Sequence, residues 1–235
     1  DAAKAPAGVE AAVWDGKTPG PWTKAVSGSN AVVNLAGESV AGGRWTPARK
    51  LALIRSRVDS TRALAAVPGP QTFVSASALG YYGTRPAGDC PEDAPQGTDF
   101  LAALCGQWER EALAAEKSGA RVVLARIGVV LGRGGGALSK MLPPFKLGLG
   151  GPLGAGTQPF PWIHLDDVVG ALLFALAAPS VAGTLNLKMG GVGIIPPLTK
   201  EAMQAARMPQ LWPSHPDPAE HNRRSIYLQM KRSLT

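Results

Sequence analysis

From residue 31 onward the apolar positions fall into two patterns, short continuous runs and longer stretches at helical spacing. The turn signal Ser27-Gly28-Ser29-Asn30 precedes AVVNL at 31–35, which predicts a strand buried in a parallel sheet covered on both faces. Thr46-Pro47 marks a helix start, with threonine as N-cap and proline in the first helical position. Leu51, Ile54, Val58 and Ala65 recur at helical spacing up to Ala66, and Val67-Pro68-Gly69-Pro70 ends the segment. A second strand is expected from Thr72 to Ser75. A helix from Asp99 to Ser118 follows, with Gly119 as its C-terminal cap, and then the strand RVVLARI at 121–127. Pro161–His164 reads as extended. Leu165–Ala178 reads as a helix with Asp166 and Asp167 in its first turn, where the helix dipole favours anions, and Gly183–Leu187 as a last strand.

This alternation of strand and helix predicts an α/β fold with a parallel sheet and right-handed crossovers. Two stretches break the pattern. Residues 132–156 hold nine glycines and three prolines and are expected to form long loops. After Leu187 the periodicity decays, and Pro196, Pro197, Pro209, Pro213, Pro216 and Pro218 interrupt any long helix.

With 235 residues, 45% of them hydrophobic and 17% charged, the chain can bury a sizeable core and is not generally disordered. The two cysteines, Cys90 and Cys105, fit neither a disulfide framework nor a zinc site, so a reducing intracellular compartment, the cytoplasm, is expected. The first residues do not form a signal peptide, and the longest apolar run, Val168–Ala178, is too short to span a bilayer of about 30 Å. No membrane partner is therefore expected. The net charge of +7 raises the question of nucleic acid. Seven Lys and Arg against three Asp and Glu lie in residues 188–235, however, and no aromatic-and-basic module accompanies them, so no nucleic-acid partner is expected either.

The candidate chemistry lies in FVSASALGYYG at 73–83, where Ser75, Ser77, Tyr81 and Tyr82 bring hydroxyls to the end of a buried strand. At NLAGES (34–39), SASALGYYG (75–83), RIGVVLG (126–132) and PWIHLDDVVGALLFAL (161–176) the chain resembles the extended, epimerase-like branch of the short-chain dehydrogenase/reductase superfamily. Within it, the ordered set GGRW, RSRVDSTRAL, GVVLGRGGGAL, PPFKLGLGGPLG and PWIHLDD resembles the atypical epimerase family protein group of the NAD-dependent epimerase/dehydratase superfamily. The resemblance covers about residues 9–187.

It implies a partial Rossmann-type parallel sheet flanked by helices, N-terminally truncated, since the strand, glycine-rich turn and helix that cradle a cofactor diphosphate would precede Asp1. Residues 1–187 would form a partial NAD(P)-binding domain with substrate loops near 132–160. Residues 188–235 match no usual C-terminal lobe and are expected to be disordered. The glycine clusters at 132–136 and 148–151 read as substrate-side loops rather than a phosphate cradle.

By the same resemblance, Asn34, Leu35, Ala36 and Gly37 form the turn that passes under the cofactor. Arg57 stands near its phosphates, and Leu131, in the loop after its strand, covers the nicotinamide. Glu38 is either a contact there or a solvated charge. Ser77 would hold a substrate oxygen. The tyrosine and lysine of the family's proton-transfer pair fall on Leu101 and Cys105, which cannot do that chemistry. Tyr81 is the remaining candidate acid, although packing against cofactor or substrate is the plainer role. Tyr81 and Arg85 share the spacing of the pair, but Gly83 and Pro86 make their segment a loop and arginine does not titrate. His164, with Asp166 and Asp167, reads as structural.

The implied function is that of an NADP-dependent oxidoreductase or nucleotide-sugar epimerase-like protein with an unknown small-molecule substrate, impaired in this form and binding NADP weakly. The alternative is a non-catalytic dinucleotide-binding or scaffold protein. Whether the chain is an enzyme stays open at this point. The sheet edge left by the absent unit leads to an expectation of self-association.

Overall fold

The computed structural model describes residues 8–84, 90–132, 135–151 and 159–188. Its centre is a parallel four-stranded sheet in the order β1 (Ala31–Asn34), β2 (Thr72–Ala78), β3 (Arg121–Ile127), β6 (Gly183–Leu187). Val33 pairs with Val74, Val74 with Val123, and Val123 with Gly183. A separate two-stranded parallel ribbon joins β4 (Val129–Leu131) to β5 (Trp162–His164).

Helices cover both faces. On one face α2 (Pro47–Ala65) and α3 (Phe100–Leu113) pack with the short α1 (Trp22–Ser27) against Phe73, Val122 and Leu124. On the other, α5 (Leu165–Ala177) lays Val168, Ala171, Leu172 and Ala175 on Val74, Val123 and Ala125. β2 is therefore enclosed from every side, which explains its continuous burial. It is also three residues longer than the expected Thr72–Ser75, so Ser77 lies inside it rather than after it.

The expected boundaries of α2, β3 and β6 agree with the structure to within a residue. Thr46 Oγ1 accepts the Arg49 amide as the N-cap of α2. Asp99 does the same for the Ala102 amide at α3, and Gly119, at φ 85°, closes the 3-10 turn Ala114–Ser118. Of the positions expected to face inward on α2, Val58 and Ala65 are buried and Ile54 packs against the core, and only Leu51 departs. Leu51 is 44% exposed, and the buried side is built on Leu53, Val58, Thr61 and Leu64. Buried hydroxyls at Ser60 and Thr61 broke the apolar spacing that the prediction followed.

The glycine- and proline-rich stretch contains a helix, α4 (Gly136–Lys146), with Pro143 and Pro144 inside it. Its glycines flank the helix, while Leu138, Met141, Leu142 and Phe145 keep helical spacing and are half-buried. The tail residues 189–235, the segment 152–158, and Arg85 and Arg133 lie outside the described residues, and with them the expected disorder and part of the substrate loops. Among the described residues no helix is long and apolar enough to cross a membrane.

Arg121, the first residue of β3, ties the two layers together. Its guanidinium donates to the carbonyls of Ala175 (2.9 Å), Leu176 (3.3 Å) and Val181 and to Thr72 Oγ1 (3.1 Å). A cation at the carboxyl end of α5 satisfies carbonyls that the helix leaves unpaired. Arg121→Leu is expected to lower unfolding free energy by about 1.5–3 kcal/mol, the range for charge-assisted hydrogen bonds. Urea denaturation checks this, with the exposed Arg55→Leu as a control expected to change little.

Among the described residues β1 pairs only with β2, and Val33, which points to the α5 face, is 38% exposed. An open edge bearing no charge from Ala31 to Asn34 is a template for pairing. The wild-type chain is expected to self-associate as its concentration rises, and Val33→Lys to reduce this, as read by sedimentation velocity. A wild-type chain that stays monomeric throughout would contradict the expectation.

Candidate functional site

The carboxyl ends of β1, β2, β3 and β6 carry a row of polar side chains on the α2/α3 face: Asn34, Ser77, Arg126 and Asn186. Ser77 stands opposite Arg126 in the register, and Arg126 opposite Asn186. Two clusters form along this row.

The first is the turn after β1. Asn34 is buried, its Nδ2 donates to Thr61 Oγ1 (2.7 Å), and its Oδ1 accepts the Ala36 amide (3.1 Å). This local bond is the usual way asparagine shapes a turn. Leu35 and Gly37 are exposed and Ala36 half-buried, so the backbone is open to a ligand. The Arg57 guanidinium lies against it. A Cβ on Gly37 would come within 2.9 Å of Arg57 Cζ, so glycine is what permits the approach. Arg57 donates to the carbonyls of Glu38 (2.8 Å) and Leu53 (3.3 Å) and to Ser56 Oγ (3.4 Å). Its Cζ is 5.3 Å from the centroid of the Trp108 ring. Burial lowers its pKa from the ordinary arginine value, opposed in part by the nearby Glu38 carboxylate and aided weakly by the Arg49 charge. No carboxylate among the described residues forms an ion pair with it, and Glu38 is bound to Arg49 at 2.7 Å.

The second cluster surrounds Arg126, which is 3% exposed. Its Nε and a terminal nitrogen bind the two oxygens of Glu109 (2.8 Å each). The other terminal nitrogen donates to Tyr82 Oη (2.8 Å) and the Glu92 carbonyl (2.9 Å). Tyr82 Oη donates to Asn186 Oδ1 (2.8 Å), and Asn186 Nδ2 to the Cys90 carbonyl (2.7 Å). The Tyr81 ring centroid lies 3.4 Å from Arg126 Cζ. Burial opposes the charge on Arg126, but the hydrogen bonds it donates to Glu109 and Tyr82 outweigh it and hold the pKa above its ordinary value. Burial also raises the Tyr82 phenol, against the pull of Arg126.

Ser77 belongs to this second cluster. Its hydroxyl, 3% exposed, donates to Glu109 Oε1 at 2.6 Å, which leaves its oxygen lone pairs as acceptors. Tyr81 sits on the 3-10 turn Leu79–Tyr82 and its hydroxyl makes no hydrogen bond among the described residues. Leu101 and Cys105 face the same turn: a Cβ on Gly80 would meet Leu101 Cβ at 3.4 Å and Cys105 Sγ at 3.9 Å. Burial, with the Glu109 charge, pushes the Cys105 thiol up to about 11, so it carries its proton at neutral pH.

Leu131 is not in a loop. It is the last residue of β4, half-buried and paired with His164. The strand forms because β5 supplies a parallel partner more than thirty residues later, which local sequence does not announce. His164 caps α5, its Nδ1 accepting the Asp166 amide at 3.2 Å. Among the described residues no group of His, Cys, Asp and Glu is arranged to hold a metal.

The structure thus joins Asn34–Gly37 with Arg57, and Ser77 with Tyr81, while Leu131 lies on the separate ribbon. Sequence reasoning missed Thr61, Trp108, Glu109, Arg126 and Asn186. The available signal was a charge on an inward position: Arg126 within an apolar strand, and Glu109 four residues beyond Cys105 on the buried stripe of α3.

The family model described as NAD dependent epimerase/dehydratase family matches residues 9–187. The chain is 46% identical over 172 residues to the chloroplastic epimerase family protein SDR39U1 homolog of Arabidopsis thaliana, covering 70% of this chain and 49% of the relative. It is 44% identical over 187 residues to epimerase family protein Mb2239 of Mycobacterium bovis, covering 78% and 62%. Its structure is similar to the crystal structure of human epimerase family protein SDR39U1 (isoform 2) with NADPH, with a TM-score of 0.66 and 37% identity over 75% of this chain and 65% of that one. The chain therefore spans between about half and two thirds of the length of these relatives. The parallel sheet flanked by helices and the match over residues 9–187 agree: the chain belongs to the NAD dependent epimerase/dehydratase family.

Proposed function

We propose that this chain carries part of the cofactor site and part of the substrate site of an NADP-dependent oxidoreductase or nucleotide-sugar epimerase-like protein. The observation that supports it most is Arg57, a half-buried cation with no carboxylate partner among the described residues, laid against an exposed turn of small residues. Such a guanidinium fits a phosphate group. Asn34, Leu35, Ala36 and Gly37 let a dinucleotide approach the backbone, and Leu131 covers its nicotinamide end. That the human relative's structure contains NADPH favours NADP over NAD. When bound, the nicotinamide supplies or accepts a hydride. Ser77 orients a substrate oxygen through its free lone pairs, with Glu109 fixing the direction of its O–H. Tyr81, its ring laid over the Arg126 guanidinium, packs against the cofactor or substrate.

A non-catalytic dinucleotide-binding or scaffold role is the second reading, and a specific observation favours it. The helix positions of the family's proton-transfer pair hold Leu101 and a protonated, buried Cys105.

Two measurements test these proposals. Among the described residues ahead of β1 there is no strand–turn–helix unit to cradle a diphosphate. With each charge-assisted bond worth about 1.5–3 kcal/mol, NADPH binding by this chain is expected to be weaker than micromolar in calorimetry, and Arg57→Gln to weaken it about tenfold further. Equal affinity in the two proteins would remove the phosphate role of Arg57.

With any carbonyl compound that the chain reduces, Tyr81→Phe is expected to lower kcat about tenfold or less, as for the loss of a neutral hydrogen bond. A fall of about a thousandfold, at unchanged NADPH affinity, would show that Tyr81 is the acid.

A further inference from the structure

We propose that Trp108 is the positioning residue of the anion site, a single side chain of α3 that fixes both the Asn34–Gly37 turn and the Arg57 guanidinium without reaching a ligand. The inference rests on the cofactor role proposed above for Arg57.

The indole is 5% exposed, with its N–H given to Thr61 and its ring face turned to Arg57, so it acts on the site through those two residues. Its two chemically different parts act on two elements. The Nε1–H donates to Thr61 Oγ1 at 2.8 Å, and the same oxygen accepts Asn34 Nδ2 at 2.7 Å. A hydroxyl oxygen has two lone pairs, and both are used. Asn34 Nδ2 is thereby held to α2, which leaves Oδ1 aimed at the Ala36 amide and sets the turn. The π face of the same indole lies 5.3 Å from Arg57 Cζ. A guanidinium that has lost part of its hydration gains from a ring face what water no longer gives. One terminal nitrogen of Arg57 is taken by the Leu53 carbonyl and Ser56 Oγ and the other gives one bond to the Glu38 carbonyl, so Nε–H and one N–H of the second terminal nitrogen remain for an anion, where a carboxylate neighbour would have claimed them.

Packing between α2 and α3 requires neither feature. A leucine, though smaller, would be enough to make apolar contact there and would supply neither the donor to Thr61 nor a ring face for the cation, whereas a phenylalanine would supply only the ring face. The two arms are separable, because Trp→Phe keeps a ring face and removes the N–H, while Trp→Leu removes both.

The experiment uses NADPH as the probe, titrated by calorimetry against this chain, Arg57→Gln, Trp108→Phe, Trp108→Leu and each pair of 57 and 108 substitutions. Arg57→Gln is expected to weaken NADPH about tenfold in the wild-type and Trp108→Phe backgrounds, but about twofold or less in Trp108→Leu, because without the ring face Arg57 no longer contributes. Thr61→Val, which cuts only the turn arm, is expected to weaken NADPH by the same factor whether residue 57 is Arg or Gln. An equal effect of Arg57→Gln in all three 108 backgrounds would reduce Trp108 to core packing and overturn the inference while leaving the cofactor role of Arg57 intact. An Arg57→Gln that changes nothing in the wild type, or no measurable NADPH binding at all, would remove both.

If Trp108→Leu does not fold, the Arg57 side-chain Nε–H resonance decides the question in the wild-type protein. A signal displaced by the ring current and moved by NADPH supports the inference. A signal at the position of a solvent-exposed arginine overturns it.

Discussion

The buried ion pair between Arg126 and Glu109 dictates the layout of the sheet's carboxyl edge. Stripping water from two full charges costs several kcal/mol for each ion, and their attraction offsets this only when the remaining donors and acceptors are also satisfied. Here every partner contributes. Glu109 takes two bonds from Arg126 and one from Ser77, and the remaining guanidinium nitrogen goes to Tyr82 and the Glu92 carbonyl. Asn186 then completes Tyr82 from the last strand. Strands β2, β3 and β6, helix α3 and the segment around residues 90–92 are thereby pinned to one another. Removing either charge alone would leave the other buried and unpaired, a loss of about 3–5 kcal/mol.

Helix α3 divides two duties between adjacent residues. Trp108 turns toward α2 and the Asn34–Gly37 turn, and Glu109 turns toward Ser77 and Arg126. In an α-helix neighbouring residues point about 100° apart, so one rigid element reaches both clusters. The geometry proposed for the cofactor and that proposed for the substrate are set by the same helix. At the stations expected for a proton-transfer pair this helix carries Leu101 and Cys105, and its polar work is moved one turn further along.

The fold was largely legible in the sequence because its strands are short apolar runs bounded by turn residues and its helices carry clear caps at Thr46, Asp99 and Gly119. Two elements escaped. Helix α4 hides between glycines and contains prolines, which outweighed the spacing of Leu138, Met141, Leu142 and Phe145. Strand β4 depends on a partner distant in the chain. Of the candidate site, the backbone turn and Arg57 could be read from a resemblance, because such motifs are contiguous. The network around Arg126 could not. Its members come from β2, the 3-10 turn Leu79–Tyr82, α3, β3, β6 and the segment near residue 92, and an isolated Glu or Arg in a sequence does not declare whether it faces water or a partner.

The enclosure of β2 also sets a gradient of local opening across the sheet. Its amides are flanked by strands on both sides and covered by helices on both faces. Deuterium can reach them only when the domain opens as a whole. At β1, bounded by one strand among the described residues, fraying of a few residues exposes the amides, so exchange there reports a local equilibrium of low free energy. The turn that bears Leu35 to Gly37 hangs from that fraying strand, and Asn34, gripped by Thr61, is the point at which the local opening stops.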